Sequence, residues 1–490
     1  MKKVCVIGSG FSGLAASACL AKAGFAVTVL EKNAELGGRA RKFEDQGFTF
    51  DMGPSWYWMP EVFEQFFNLF DKSASEFYTL VRLNPSYEVI FGKNDKIALP
   101  ADFEELKKVF EEMETGSASK LETFLADAEY KYKVGMNEFV WKPGHTVMEF
   151  ADLRVFKSLF RLQMLSSISG QIDSLFKNEK IRNILKFPVL FLGATPQDTP
   201  ALYSLMNYAD IKLGTWYPMG GMFKVIDAFV EVAKNQGVTF ITNAEVRHIS
   251  VKDNKAHTIH TDSYDYTFDY VVASADYHHV DKNLLPPQYS NYTTSYWEKR
   301  KMAPSSLIFY IGLDIKLDKI NHHNLFFDRD FASHAHQIYT QPSWPSDPLF
   351  YMCVPSVTDS TVAPVGKENV FFLLPIAPGI HDNEIVREKY FKVICDRLKE
   401  TIDIDIMPHI IFKRSYCVDN FISDYNSYKG NAYGLANTLR QTAFLKPKLQ
   451  NKKLSNLYYT GQLTTPGPGV PPSIISGQVV ASEIIKHSKN

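Results

Sequence analysis

The chain has 490 residues, 45% hydrophobic and 22% charged, with 53 basic and 54 acidic side chains. That length exceeds one ordinary core and predicts two or three domains, while the charge balance excludes a disordered chain and gives no ground for a nucleic-acid partner. Five cysteines with no C-x-x-C exclude a disulfide frame and suit a reducing compartment, and the absence of an apolar run of 18 residues excludes a predicted transmembrane helix.

Val4 to Ile7 predict a buried strand that runs into Gly8-Ser9-Gly10-Phe11-Ser12-Gly13. A small-residue helix follows from Leu14 to Ala23 and stops at Gly24; a second strand, Ala26 to Leu30, ends at Glu31. Gly8 allows the tight turn, Gly10 lets the backbone approach a pyrophosphate, and Gly13 lets helix and strand pack closely. Free N–H groups at the helix start hold the anion. Glu31 is placed to accept hydrogen bonds from ribose hydroxyls. Strand, turn, helix, strand and acid in this order predict a dinucleotide-binding α/β unit. The opening Met-Lys-Lys imitates a signal peptide, but Gly8 and Gly10 break the apolar run, so none is expected.

Lys32 leads into Gly37-Gly38-Arg39, a tight backbone turn followed by a forked cation suited to the same pyrophosphate. Met52-Gly53-Pro54-Ser55 is a further turn, followed by Trp56, Tyr57 and Trp58. Tyr87 to Leu99 reads as a hairpin turning at Lys93-Asn94-Asp95, and residues 102 to 208 read as mostly helical. Within them, 152–165 has apolar and basic residues at helical spacing, and 154–186 holds seven basic against two acidic side chains. Beside it runs Phe187 to Leu192, capped by Gly193. A basic amphipathic helix next to an apolar run predicts a surface resting on anionic lipid, the other reading being a core helix with solvated basic residues.

Trp216-Tyr217-Pro218-Met219-Gly220-Gly221-Met222 opens a helix near Phe223 to Ala233. Val238 to Glu245, leading to Val246, and Tyr270 to Ala273 read as strands, as do Ser305 to Leu313 and Val370 to Pro375. His278-His279, His322-His323 and His334/His336 lack acids or cysteines at metal-ligand spacing, so no metal site is expected. The Asn291 sequon is attributed to chance. Near the C-terminus, Asn456 to Gln462 reads as a strand ending at Gly461. Leu463 to Pro472 holds four prolines and two glycines, which no regular element accommodates. Ser473 to Ile485 is predicted as a helix, its first turn at Pro472 or Ser473.

This order of parts resembles the FAD-dependent family of amine oxidases, protoporphyrinogen oxidases and carotenoid desaturases. In that family the second glycine pair and arginine mark FAD, and the C-terminal helix begins near the flavin ring, where its dipole favours negative charge. The loop Pro466 to Pro472 resembles the C-terminal signature of carotenoid desaturases, with Thr464-Thr465 where Thr-His is usual and Gln462 where an acid or alanine is common. Residues 216–222 resemble a Y-P-x-G-G-M segment. Gly430 to Leu435, with Arg440-Gln441 and Lys446-Pro447, resembles a G-x-x-Y-G-L…Q…R-P segment in which Lys446 replaces arginine.

The resemblance implies an α/β fold with a Rossmann-like, glutathione-reductase-type FAD-binding domain made of 1–80, 215–285 and 430–490. A mixed-sheet substrate domain of 81–101 and 286–429 and a helical, membrane-contacting insert of 102–214 complete it. It implies FAD contacts from Gly8, Ser9, Gly10, Phe11, Ser12, Gly13, Glu31, Lys32, Gly38, Arg39, Met52, Gly53, Pro54, Ser55, Val246, Gly461, Gln462, Gly469, Val470 and Pro471. Trp56, Tyr57 and Trp58 are expected in a substrate tunnel or in packing away from it, and no catalytic base is named. The implied activity is hydride transfer from a polyene-adjacent carbon to flavin N5, with a hydrophobic carotenoid as substrate. The subtype most resembled is the 1′-hydroxycarotenoid 3′,4′-desaturases; a phytoene desaturase, an amine- or protoporphyrinogen-type oxidase and a non-catalytic prenyl-lipid carrier are the alternatives. A cytoplasmic protein on the inner face of the membrane is expected. Oxygen and a quinone are both open as electron acceptor.

Overall fold

The computed structural model describes residues 1–146, 149, 166–190, 193–438 and 440–489. The helix expected at 152–165, with Arg154, Lys157 and Arg161, lies outside the described residues, as do residues 191 and 192 of the apolar run.

Strand β1 (Lys3–Ile7) is buried from Val4 onward, as apolar side chains on both faces require of a central strand covered by helices. It pairs in parallel with β2 (Ala26–Leu30) and with strand Tyr270–Ala273. Thr239–Ile241 and Leu457–Tyr459 complete a five-stranded parallel sheet in the order 457–459, 270–273, 3–7, 26–30, 239–241. The winding reverses at β1, so a crevice opens beyond Ile7. Helix α1 (Phe11–Lys22) leads out of that crevice and packs on the helix Val470–His487. A Cβ on Gly477 would lie 2.2 Å from the Ser12 carbonyl oxygen, so only glycine permits this approach.

A second, seven-stranded sheet runs in the order 410–416, 305–313, 368–376, 350–353, 323–326, 87–92, 95–99. The strand Ser305–Leu313 is buried along its whole length. Phe309 faces Phe391 of the helix Glu384–Ile402 at 4.9 Å, whereas Tyr310 faces Phe43 at 5.0 Å on the other side. The second face, which includes Tyr351 and Cys353, belongs to the same core as α1 and β1. It thereby forms a wall opposite the parallel sheet.

Three departures from the sequence reading have simple causes. The strand expected over 238–245 stops at Ile241, because Asn243 takes φ +53° and turns the chain; Val246 opens a separate antiparallel strand, Val246–Lys252. The C-terminal helix starts at Val470, with Pro471 and Pro472 inside its first turn, where a missing N–H is tolerated. The described part of the apolar run after 186 is not a separate surface segment. Residues to Leu190 continue the helix Glu179–Leu190, and Phe187 and Val189 are fully buried. Nearby basic side chains are locally paired, Lys180 with Asp95 and Lys186 with Asp173.

Candidate functional site

The turn after β1 is held by its own side chains. Glu31, 4% exposed, accepts from Ser9 N at 2.9 Å and Ser9 Oγ at 2.6 Å through one oxygen, and from Asn33 N at 2.9 Å through the other. Gly8 takes φ +96°, and a Cβ on Gly13 would meet the Gly8 carbonyl oxygen at 2.3 Å. A Cβ on Gly10 would meet nothing within 4 Å. Gly10 is also the N-cap of α1 and offers no side-chain acceptor, so the N–H groups of Phe11, Ser12 and Gly13 face that open space uncapped. The geometry fits a pyrophosphate: space beside Gly10, unpaired donors, and a carboxylate at the end of β2. Lys32 turns away, to the Ser423 carbonyl and Glu245. Val246 is buried beside Glu31, whose carbonyl accepts from Ala244 N at 2.8 Å.

A seam of close backbone contacts leads from this turn toward the second sheet. A Cβ on Gly38 would lie 3.1 Å from the Gly10 Cα, and one on Gly53 would lie 2.4 Å from the Arg39 carbonyl oxygen. Arg39 donates to Ser427 Oγ and to the Asn431 carbonyl, while its buried Nε makes no hydrogen bond among the described residues. Burial lowers its proton affinity, which Asp276 partly restores, and burial raises Asp276 to about 6. Such a donor calls for an anion. Met52 is fixed by Tyr310 OH, which donates to its carbonyl at 2.7 Å, and Ser55 accepts from Tyr351 OH at 3.1 Å.

The C-terminal arm forms the other side. Gly461 takes φ +105° over Ser12, and Gln462 donates to Asn431 Oδ1 at 3.2 Å. Gly469, φ +114°, caps the C-terminal helix, but Pro471 and Pro472 have no N–H, so the helix start presents the Val470 N–H rather than a full set of donors. Beside Gly467 lie two groups that the sequence did not single out as site residues. The Lys446 Nζ and Asn437 Oδ1 are buried, make no hydrogen bond among the described residues, and would lie 3.3 and 3.1 Å from a Cβ on Gly467. Burial lowers Lys446 to about 7. A buried amine without a counter-charge fits a site that receives an electron-rich ring.

Where the two arms meet, the walls are aromatic. Trp56 packs near Trp58, Tyr87 and Phe187 at 5.3 to 5.5 Å and stacks on His323 at 4.0 Å. Trp58 donates to Thr215 Oγ1. Tyr57 does not join this wall; in an extended segment it points the other way, stacking on Phe63 at 4.2 Å and sharing a hydrogen bond with Tyr78. Behind Tyr87 sits Asp210, which accepts from the Tyr87 hydroxyl at 2.7 Å and which burial raises to about 7. The second sheet adds a group that sequence spacing missed. His323 and Cys353 are cross-strand partners, and the ligating atoms of His322, His323 and Cys353 lie within 4.8 Å of one another. Burial keeps all three uncharged, raising the thiol to about 12 and lowering His322 to about 3 and His323 further. Only strand register brings them together.

These features agree with relationships across the whole chain. Residues 11–485 match the model of the flavin containing amine oxidoreductase family, so the chain belongs to that family and is an FAD-dependent oxidoreductase. An oxidoreductase from Methanosarcina mazei shares the fold, with TM-score 0.64 at 18% identity over 98% of this chain and 100% of that one. The chain is 40% identical over 486 residues to a carotenoid 3,4-desaturase of Haloarcula japonica, covering 99% of this chain and 98% of that protein. It is 31% identical over 496 residues to a Staphylococcus aureus 4,4′-diapophytoene desaturase, covering 99% of each. Within the family the chain is therefore a member of the carotenoid desaturases.

Proposed function

We propose that this enzyme introduces a carbon–carbon double bond at the 3,4 position (3′,4′ by the numbering of the second end) of an acyclic carotenoid end that carries a tertiary hydroxyl at C-1. The observation that carries the reading is the aromatic wall of Trp56, Trp58, Tyr87 and Phe187 where the two arms meet, in a chain 40% identical end to end to a carotenoid 3,4-desaturase.

FAD, when bound, would supply the acceptor for a hydride leaving the substrate carbon, and the proton lost by the neighbouring carbon would pass finally to solvent. The protein binds and orients. Phe11, Ser12 and Gly13 present N–H groups to the pyrophosphate, with Arg39 as the forked cation and Glu31 on the ribose. Lys32 is proposed to reinforce the acidic end of β2 through Glu245. Val246 packs at the adenine side, and the segments Gly38, Met52 to Ser55, Gly461-Gln462 and Gly469 to Pro471 flank the remainder of the cofactor. Lys446 and the Val470 N–H place positive potential beside the ring. The aromatic walls exclude water, so positive charge developing next to the polyene spreads along the conjugated chain instead of being captured.

No helix of the described residues is long and apolar enough to cross a membrane. A substrate dissolved in lipid and the basic surplus of 154–186 support docking of the insert on an anionic membrane face. Incubating the FAD-loaded enzyme with a 1-hydroxylated acyclic carotenoid and with phytoene, followed by chromatography, tests the reading. One new double bond in the hydroxylated substrate is expected; turnover of phytoene alone would overturn it.

A further inference from the structure

The wall opposite the nucleotide turn should be apolar if it met only a hydrocarbon. Instead it carries a chain of buried hydrogen-bonding groups. Tyr351 OH donates to Ser55 Oγ at 3.1 Å, and His323 Nδ1 lies 2.6 Å from the same Tyr351 oxygen. With the Tyr351 proton directed to Ser55, the His323 proton is assigned to Nδ1. Its Nε2 is then a bare acceptor, and it makes no hydrogen bond among the described residues although His323 is 0% exposed. The neighbouring ring of Trp56, stacked at 4.0 Å, presents a buried Nε1–H that is likewise unpartnered among them. Leaving such groups unpaired inside a protein is costly, so an arrangement of this kind calls for a polar ligand atom.

Its position fits the reaction. Ser55 stands at the end of the seam that begins at Gly10, and Tyr351 lies beside Tyr433, next to Gly434, which packs on Gln462. The cluster is therefore at the junction of both cofactor-flanking arms. In the substrate named above, one methylene separates the hydroxyl-bearing carbon from the bond to be desaturated, so a group that reads the hydroxyl has to stand next to the reacting bond.

We propose that His323, held by Tyr351 and Ser55 and flanked by Trp56, forms a hydroxyl-recognition subsite: His323 Nε2 accepts the proton of the substrate's tertiary alcohol and Trp56 Nε1–H donates to its oxygen. The inference rests on the proposed hydroxylated substrate. It assigns to this wall the choice between a hydroxylated end and a plain hydrocarbon end, because buried groups built to pair with a hydroxyl reject the analogue that lacks it.

The test compares kcat/KM for a 1-hydroxylated acyclic carotenoid and for the same chain without the hydroxyl. It uses FAD-loaded parent, Tyr351→Phe, His323→Phe and His323→Gln, with FAD content and Tm recorded for each. Substrate affinity is read independently from quenching of tryptophan fluorescence. The parent is expected to prefer the hydroxylated chain by about a hundredfold or more. Both phenylalanine variants lose at least about tenfold of that ratio and bind the hydroxylated chain correspondingly less tightly, whereas His323→Gln, which keeps a hydrogen-bonding amide, retains more of it. If His323→Phe fails to fold, Tyr351→Phe, which removes a single oxygen, carries the measurement. A parent with no preference overturns the hydroxylated-substrate reading. A preference that survives in both phenylalanine variants leaves that reading standing and overturns the subsite.

Discussion

The turn at Gly8–Gly13 and the polar cluster on the second sheet belong to one crevice, but they are built by opposite means. The turn is specified by exclusion: backbone approaches only where a side chain is missing, as at Gly13, and a single carboxylate, Glu31, ties its ends. The cluster is specified by register: His323 faces Cys353 across two strands, and Tyr351 reaches Ser55 from a distant segment. The first is local and shaped for a ligand common to many proteins. The second is assembled from scattered positions.

Breaking the turn separates its two kinds of glycine. Gly13→Val places atoms where the Gly8 carbonyl stands and is expected to destabilise the fold by on the order of 3 kcal/mol or more, read as a lost or much lowered urea midpoint. A Cβ on Gly10, by contrast, meets no protein atom within 4 Å, so Gly10→Val adds its bulk on the open side of the turn. Its Tm without cofactor is expected near that of the parent, while FAD binding weakens more than about tenfold. If Gly10→Val purifies with a full complement of tightly held FAD, the pyrophosphate does not lie beside this turn.

The C-terminal arm offers a middle-sized effect. Removing the cation with Lys446→Met is expected to lower the flavin potential by about 30–60 mV, a ten- to hundredfold change for a two-electron couple. Lys446→Arg should restore most of it. An unchanged potential in Lys446→Met would detach this amine from the ring. The same residue predicts a pH effect in cofactor-free protein. Its folded pKa of about 7 lies below the ordinary 10.5. The unfolded chain therefore binds more protons between those values, and stability should rise with pH across that window. Urea midpoints near the two ends of the window should differ less in Lys446→Met.

The smallest effect per residue concerns the membrane. Neutralising Arg154, Lys157 and Arg161 should weaken binding to anionic vesicles by about 1 kcal/mol for each residue that lies near the surface. Sedimentation that does not change would reduce this stretch to solvated charge.

The sequence makes the nucleotide turn legible because G-x-G-x-x-G, its flanking strands and Glu31 constrain one another over a short span. It also places the hairpin from Tyr87, since turn chemistry is local. It does not reveal that Tyr57 departs from its tryptophan neighbours, because that depends on what the extended segment packs against. Nor does it reveal the grouping of His323, Tyr351 and Cys353. Tyr351 and Cys353 share a face by alternation along one strand, but His323 joins them only through the pairing of strands 323–326 and 350–353, which no sequence spacing encodes. Phe187 reads in the sequence as part of a lipid-facing run until the helix that carries it is seen to turn this ring inward, against Trp56 and Tyr87.

The crevice is closed by segments far apart in the sequence: Gly477 rides on the Ser12 carbonyl, and strand Leu457–Tyr459 extends the sheet founded by β1. During synthesis the turn at Gly8–Gly13 leaves the ribosome well before the segment that covers it, which follows about 25–90 s later at ordinary elongation rates. For that interval the nascent chain exposes a half-built sheet with an open edge and no lid over its first helix. A stalled or clipped polypeptide that lacks its last helix should accumulate as an aggregation-prone species dependent on chaperones, however intact its nucleotide motif.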